Sequence, residues 1–195
     1  MVYKRVILKR GKEESLKRFH PWVFSGAIAR MDNIEEGDLV TVYDHEGNLI
    51  GNGHYQIGSI AVRILTFDDT EIDSAFFVKR LTEAFKMRQA LGLSRPDNNA
   101  FRLVHGEGDF LPGLVVDIYG STAVMQAHSP GMHFARNLIA DALTQLPNGV
   151  VKNVYYKSET TLPYKAQLDP QNEYIVGAVS YTHLRAHETT LHVVC

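Results

Sequence analysis

The chain has 195 residues, of which 45% are hydrophobic and 22% charged, and its net charge is −2. This composition is typical of a packed globular protein and excludes bulk disorder, and the length fits one or two domains of about 100 residues. The sequence lacks a secretory signal, a cysteine pair and any apolar run near the roughly 18 residues of a transmembrane helix, so we expect a cytoplasmic protein without disulfides.

The positive charge is concentrated at the amino-terminal end. The first 30 residues carry a net charge of +6 and the remainder −8. Residues 8–26 (LKRGKEESLKRFHPWVFSG) combine clustered cations with Trp22 and Phe24. Because cations attract phosphates and aromatic rings stack on bases, this pattern indicates RNA binding through the phosphate backbone. The predicted RNA-binding residues are Lys9, Arg10, Lys12, Lys17, Arg18 and His20. A solvated surface is the alternative for the cations, and a structural bond to a nearby carbonyl is the alternative for His20.

The first third of the chain predicts a small β-barrel. Short runs rich in valine and isoleucine alternate with glycine-containing turns, which favours a barrel over β-α-β units. The predicted strands span residues 2–8, 38–43, 49–55 and 59–65. Residues 13–18 predict one helical turn before Pro21. Trp22 and Phe24 flank Val23, so we expect both aromatic side chains to face the barrel core.

A helix is predicted to follow, with Asp73 as its N-cap, Ile72 and Phe77 as a hydrophobic staple, and Gly92 near its end. Its helical spacing predicts one buried face, formed by Phe77, Leu81, Ala84, Phe85 and Arg88.

Strands and a second helix are predicted in the next part. The strands span residues 101–105, 114–119, 122–127 and 151–156, with a hairpin at Gly120-Ser121. The helix spans about 132–146 and is stopped by residues 147–149. Its predicted apolar stripe consists of Ala135, Leu138, Ile139, Ala142, Leu143 and Leu146. An irregular polar stretch is expected up to about Asn172.

Two motifs, KRFHPWVFSGAI (17–28) and FRLVHGEGDFLPGLVVDIYG (101–120), resemble those of bacterial S-adenosylmethionine (SAM)-dependent methyltransferases that act on cytosine C5 of large-subunit ribosomal RNA. The resemblance implies a mainly β and then α+β fold: a PUA-like RNA-binding barrel at residues 1–68 and a mixed central domain at 73–177. A Rossmann-like methyltransferase domain would follow. Phe110 stands where the family usually has glycine.

Only eighteen residues follow Gly177, so we expect the methyltransferase domain to be missing. Residues 179–189 resemble translated sequencing adapter, and we expect residues 178–195 to be a non-native tail. Methylation at C5 needs an activated thiolate, and the only thiol is Cys195. The pairs Gly51/Gly53 and Gly106/Gly108 lack the third glycine of a cofactor turn. We therefore expect SAM to serve the full-length parent, and this chain to have neither catalytic nor cofactor-binding residues.

Two further site hypotheses are less favoured. The tail residues His183, His187, His192 and Cys195 have the residue types of a zinc site, but we expect no metal because spacing is the only support. Glu107 and Asp109 invite a paired-carboxylate interpretation; a loop-shaping role for Asp109 is favoured, since nothing predicts separated pKa values.

The resemblance makes ribosomal RNA the expected partner and leaves open a homodimer of the parent. Two alternatives remain: a non-enzymatic RNA-binding or ribosome-associated module, and an adaptor whose basic face binds an acidic protein.

Overall fold

The computed structural model describes residues 3–95, 97–163 and 166–178. The first of two sheets has six strands in the order β2-β6-β5-β4-β1-β3, and all its neighbouring strands are antiparallel except β1 and β4. The strands are β1 (Lys4–Leu8), β2 (Trp22–Phe24), β3 (Ile28–Met31), β4 (Leu39–Tyr43), β5 (Leu49–Tyr55) and β6 (Ile60–Thr66). The predicted barrel strands are thus present, with ends shifted by up to two residues.

The core of this sheet follows the two-residue period of a β-strand. Alternate residues are buried on three strands: Val6 and Leu8, Val40 and Val42, and Val62 and Ile64. Gly51 and Gly53 of β5 lie against the neighbouring strand, because a Cβ on either would approach the carbonyl oxygen of Thr66 or Arg63 to 2.1 Å. The glycines therefore permit close backbone packing inside the sheet.

The predicted orientation of β2 is wrong. Val23 faces the core with 2% of its surface exposed, whereas Trp22 is half-buried and Phe24 is 50% exposed. Leu16, from the 3₁₀ turn Leu16–Arg18, is buried in the same core. A three-residue strand can present either side inward, and the core beside Leu16 takes the smaller valine. The two aromatic rings consequently lie on the outer side.

The second sheet has the strand order β11-β10-β9-β8-β7. Its strands are β7 (Ala100–His105), β8 (Leu114–Tyr119), β9 (Thr122–Ala127), β10 (Asn153–Tyr156) and β11 (Glu173–Val176). Only β9 and β10 are parallel, and the helices α2 (Pro130–Phe134) and α3 (Arg136–Thr144) connect them. The two-residue turn between β8 and β9 confirms the predicted hairpin. β11 is absent from the sequence prediction, because four residues after an irregular stretch carry little periodic signal.

Helix α1 (Ser74–Ala90) agrees with the prediction in detail. The Asp73 carboxylate accepts a hydrogen bond from the Phe76 amide at 2.8 Å, which is an N-cap. All five side chains of the predicted buried face are buried, and both staple residues, Ile72 and Phe77, belong to the core of the second half. Gly92 has φ +69°, as a residue just beyond a helix end requires.

The predicted helix at 132–146 is two helices. The Ser129 hydroxyl caps the Met132 amide and Pro130 occupies the first turn, so α2 begins before the predicted start. Ala135 has ψ 0° and separates α2 from α3. Within α3 the predicted stripe residues Ile139, Ala142 and Leu143 are buried, whereas Leu138 is 43% exposed and does not belong to the buried face. None of the helices in the described ranges is long and apolar enough to cross a bilayer.

Several contacts connect the first half of the chain, which contains the first sheet, with the second half, which contains α1 and the second sheet. The Asn52 side-chain amide donates to the Thr70 carbonyl at 3.0 Å. The Trp22 indole Nε1 donates to Glu107 Oε1 at 2.9 Å. The buried His54 ring lies against Gly131, where an added Cβ would come within 2.1 Å of His54 Cγ. The outer side of the barrel therefore packs directly on the second half.

Candidate RNA-binding surface

All six predicted RNA-binding side chains belong to exposed residues. Lys9 and Arg10 lie just beyond β1, and Lys17 and Arg18 lie in the 3₁₀ turn Leu16–Arg18. The Lys9 ammonium donates to the Gly26 carbonyl at 2.9 Å and so links this loop to the turn between β2 and β3. Lys9 is therefore partly occupied by a structural bond.

Lys17 lies close to two acidic side chains. Its ammonium lies 3.8 Å from a Glu13 carboxylate oxygen and 3.6 Å from one of Glu14. The pair with Glu14 is exposed on both sides and contributes only about 0–1 kcal/mol, so an arriving phosphate can replace Glu14 at small cost. The Glu13 side chain, in contrast, is only 8% exposed.

A groove joins one predicted cation to the exposed aromatic side of β2. Its volume is about 340 Å³, and it is lined by Lys12, Ser15, Trp22, Val23, Phe24, Gly26 and Ala27. The Trp22 and Phe24 rings stand nearly perpendicular, at 87° with centroids 6.4 Å apart. Beside an ammonium group, they form a surface on which a base can stack while its phosphate contacts the cation.

His20 supports Trp22 within this surface. Its Nδ1 accepts a hydrogen bond from the Trp22 backbone amide at 3.3 Å, and the two rings meet edge to face with centroids 5.4 Å apart. The structural alternative predicted a carbonyl partner, whereas the partner is an amide. His20 is still an exposed residue, so its outer side remains accessible.

Phe19 is a surface residue that the sequence prediction missed. It is 67% exposed, its backbone is left-handed with φ +62°, and its ring meets Phe67 edge to face at 5.2 Å. A left-handed backbone is uncommon for an aromatic residue. The available signal was the run Lys17-Arg18-Phe19-His20, in which an aromatic residue is enclosed by cationic ones.

The loop from Gly106 to Asp109 is not a paired-carboxylate site. Asp109 is buried, accepts two hydrogen bonds from Arg88 at 2.5 and 2.7 Å, and accepts a third from the His105 amide at 2.6 Å. Glu107 instead bonds Trp22 of the barrel. Asp109 thus shapes the loop, as the favoured interpretation proposed, and Glu107 connects the two halves.

Phe110 occupies a position that suits glycine. Its φ is +56°, in the left-handed region that glycine adopts without steric cost. The ring is half exposed, and the Arg80 guanidinium lies 5.3 Å from its centroid, a cation–π distance. The loop therefore keeps a glycine-like backbone with a phenylalanine side chain.

The glycine pairs do not form a SAM cradle. Gly51 and Gly53 are filled by the backbone of β6, and Gly106 and Gly108 belong to a 3₁₀ turn tied to Trp22 through Glu107. In the β9-to-α2 connection, the space above Gly131 is taken by His54. The described residues contain no cluster of three metal-ligating side chains. The tail residues weighed for zinc, and Cys195, lie outside the described residues.

Comparisons with known proteins cover the first sheet and most of the chain. Residues 6–67 match the protein-family model described as "PUA-like domain". Ribosomal RNA large subunit methyltransferase I of Klebsiella pneumoniae (strain 342) is 37% identical over 180 residues, or 90% of this chain and 44% of that protein. The protein of the same name from Escherichia coli (strain SMS-3-5 / SECEC) is 41% identical over 145 residues, or 73% of this chain and 36% of that protein.

Solved structures show the same fold. A proposed SAM-dependent methyltransferase from Streptococcus mutans superposes with a TM-score of 0.68 at 18% identity, covering 81% of this chain and 41% of that one. The proposed methyltransferase SMU.776, crystallised with SAH, superposes with a TM-score of 0.72 at 16% identity, covering 92% and 44%. This chain spans less than half the length of the curated relatives it matches. Residues 6–67 are therefore a PUA-like domain, and the chain is a homologue, over that part of their length, of proteins named ribosomal RNA large subunit methyltransferase I.

Proposed function

We propose that this chain is the RNA-binding and spacer part of a SAM-dependent methyltransferase that modifies cytosine C5 in large-subunit ribosomal RNA. The observation that carries the proposal is the amino-terminal surface: six exposed cationic or titratable side chains, with Lys12 beside Trp22 and Phe24 in one groove. The match of residues 6–67 to a PUA-like domain and the names of the curated relatives support the same partner.

The division of labour within the parent protein is part of the proposal. In this proposal SAM binding and thiolate chemistry belong to a domain outside this chain, because the backbone of β6 closes the space at Gly51 and Gly53, and Gly106 and Gly108 lie in a 3₁₀ turn. The parent works in the cytoplasm, and this chain binds RNA but neither binds SAM nor transfers a methyl group alone. Support for cytosine C5 as the target is the resemblance of the motifs at residues 17–28 and 101–120.

The RNA contacts are predicted to be mainly electrostatic. Each phosphate that a cation neutralises steepens the salt dependence by about 0.7–0.9 in the slope of log K against log salt concentration. Reversing three predicted cations, with Lys12→Glu, Lys17→Glu and Arg18→Glu, should therefore make the slope shallower by about 2–3 and weaken binding at low salt.

The test is filter binding of a large-subunit rRNA fragment over a salt series. The matched control is a second triple variant with the same charge change on exposed residues of the second half: Lys79→Glu, Lys86→Glu and Lys152→Glu. The proposal expects the control to retain the slope of the unmodified chain. If both variants lose the same amount of slope and affinity, the effect comes from net charge alone. An unchanged slope in the first variant would reject this surface as the RNA contact.

A further inference from the structure

A second polar pocket lies where the barrel meets the second half. Its volume is about 180 Å³, and its polar side chains are Arg63 of β6 together with His105, Glu107 and His128 of the second half. Gly106 and Gly113 also line the pocket. None of these residues belongs to the predicted RNA-binding set.

The register of the barrel strands places Arg63 in this pocket. Arg63 lies directly opposite Trp22 on β2 and His54 on β5, so the three residues form one row across adjacent strands. Trp22 bonds Glu107 at one end of the row, and His54 packs on Gly131 at the other. Arg63 stands between these two contacts and lines the space that they enclose.

Arg63 has donors without acceptors. Its Nε and Nη1 atoms are buried and have no hydrogen-bond partner among the described residues. Burial lowers the pKa of the Arg63 guanidinium, while the nearby Glu107 carboxylate acts in the opposite direction. Buried guanidinium donors are normally paired, so Arg63, which is partly exposed as a residue, is a side chain of this pocket wall that still lacks acceptors.

The charge balance argues against a phosphate as that acceptor. Glu107 is held at the pocket by the Trp22 indole, and its negative charge offsets that of Arg63. Burial lowers the pKa of His128, which favours its neutral form. A phosphate would meet the Glu107 carboxylate, whereas the edge of a neutral base offers acceptors to Arg63 and an amino donor to Glu107.

We propose that this pocket binds one unstacked guanine or cytosine of the RNA. Both bases have two neighbouring acceptors for a guanidinium and an amino group for a carboxylate; adenine and uracil lack that combination. The inference rests on the proposed RNA-binding function and adds base selection to it. The amino-terminal cations position the strand, and the Arg63–Glu107 pocket reads one base.

Nucleotide binding to the pocket can be followed by nuclear magnetic resonance of the Trp22 indole. It is the only tryptophan, so its indole gives a single ¹H–¹⁵N cross-peak, and its Nε1–H bonds a residue of the pocket wall. We expect GMP or CMP to move this peak saturably, with at least about tenfold tighter binding than AMP or UMP, which is the discrimination that one bidentate base contact supplies. Inorganic phosphate should leave the peak in place. Equal shifts with all four nucleotides and with phosphate would make the pocket an anion site and overturn the inference.

Arg63→Gln separates a binding role from a structural one. We expect the variant to lose the base discrimination while its urea midpoint stays equal or rises, because the orphaned charge is removed. Arg95→Gln, at an exposed arginine outside the pocket, should preserve both properties. A lowered midpoint with unchanged discrimination would make Arg63 structural. If the rRNA fragment still binds with a steep salt slope but no nucleotide is selected, only the pocket inference fails; if the fragment does not bind, the proposed function fails as well.

Discussion

The buried ion pair between Arg88 and Asp109 is predicted to be a site where removing one partner strongly destabilises the protein. Arg88 on α1 makes two hydrogen bonds to the Asp109 carboxylate, at 2.5 and 2.7 Å, and the two side chains are 11% and 2% exposed. The Arg88 Nε also donates to the Arg102 carbonyl at 3.1 Å. The pair therefore joins α1 to β7 and to the loop that ends in Phe110.

Arg88→Met should lower the free energy of unfolding by about 3–5 kcal/mol, because it leaves the Asp109 carboxylate buried with one remaining donor, the His105 amide. That is a large fraction of the roughly 5–15 kcal/mol that stabilises a typical domain. Adding Asp109→Asn removes the stranded charge and keeps an acceptor for the His105 amide. The double variant should therefore be more stable than Arg88→Met alone.

Urea unfolding followed by far-ultraviolet circular dichroism measures these differences. Arg102 and Asp117 provide the matched control, because their two hydrogen bonds, at 2.8 and 3.1 Å, have similar geometry, while the Arg102 side chain is 48% exposed. Arg102→Met should cost only about 0–1 kcal/mol. If Arg88→Met costs as little as Arg102→Met, the reasoning from burial is refuted.

Two further predictions concern the join between the halves. Burial lowers the pKa of His54 to about 4, so between that value and about 6.5 the unfolded chain binds a proton that folded His54 does not. The free energy of unfolding therefore decreases as the pH is lowered through this window, by about 2 kcal/mol between pH 7.5 and pH 5.0 for this residue. Urea unfolding at the two pH values should show that loss reduced in His54→Gln, and identical pH dependence in both proteins would exclude His54 as its source. Gly131→Ala should lower the free energy of unfolding by about 1–3 kcal/mol, because the added Cβ meets the His54 ring. Gly26→Ala is the control, because the space around Gly26 is open. Equal urea midpoints for the two variants would contradict the close contact.

Local patterns predicted the regular elements well. The two-residue alternation of valines and isoleucines located the barrel strands, and helical spacing with an Asp73 N-cap identified α1 and its buried face. The predictions failed for short elements, whose sequence is compatible with more than one boundary or orientation. The break at Ala135 interrupts a run whose spacing predicted one helix, and the three-residue strand β2 carries too little periodicity to define its inner side.

The sequence by itself determined the charge asymmetry, the six candidate RNA-binding residues and the order of elements, because these follow from composition and from interactions between near neighbours. Tertiary structure decided which side of β2 faces the core and which polar groups meet across the join. Trp22 and Glu107 are 85 residues apart, and Arg63 enters the same pocket through its place in the strand register. Such contacts depend on how the two sheets pack, and no local pattern records that packing.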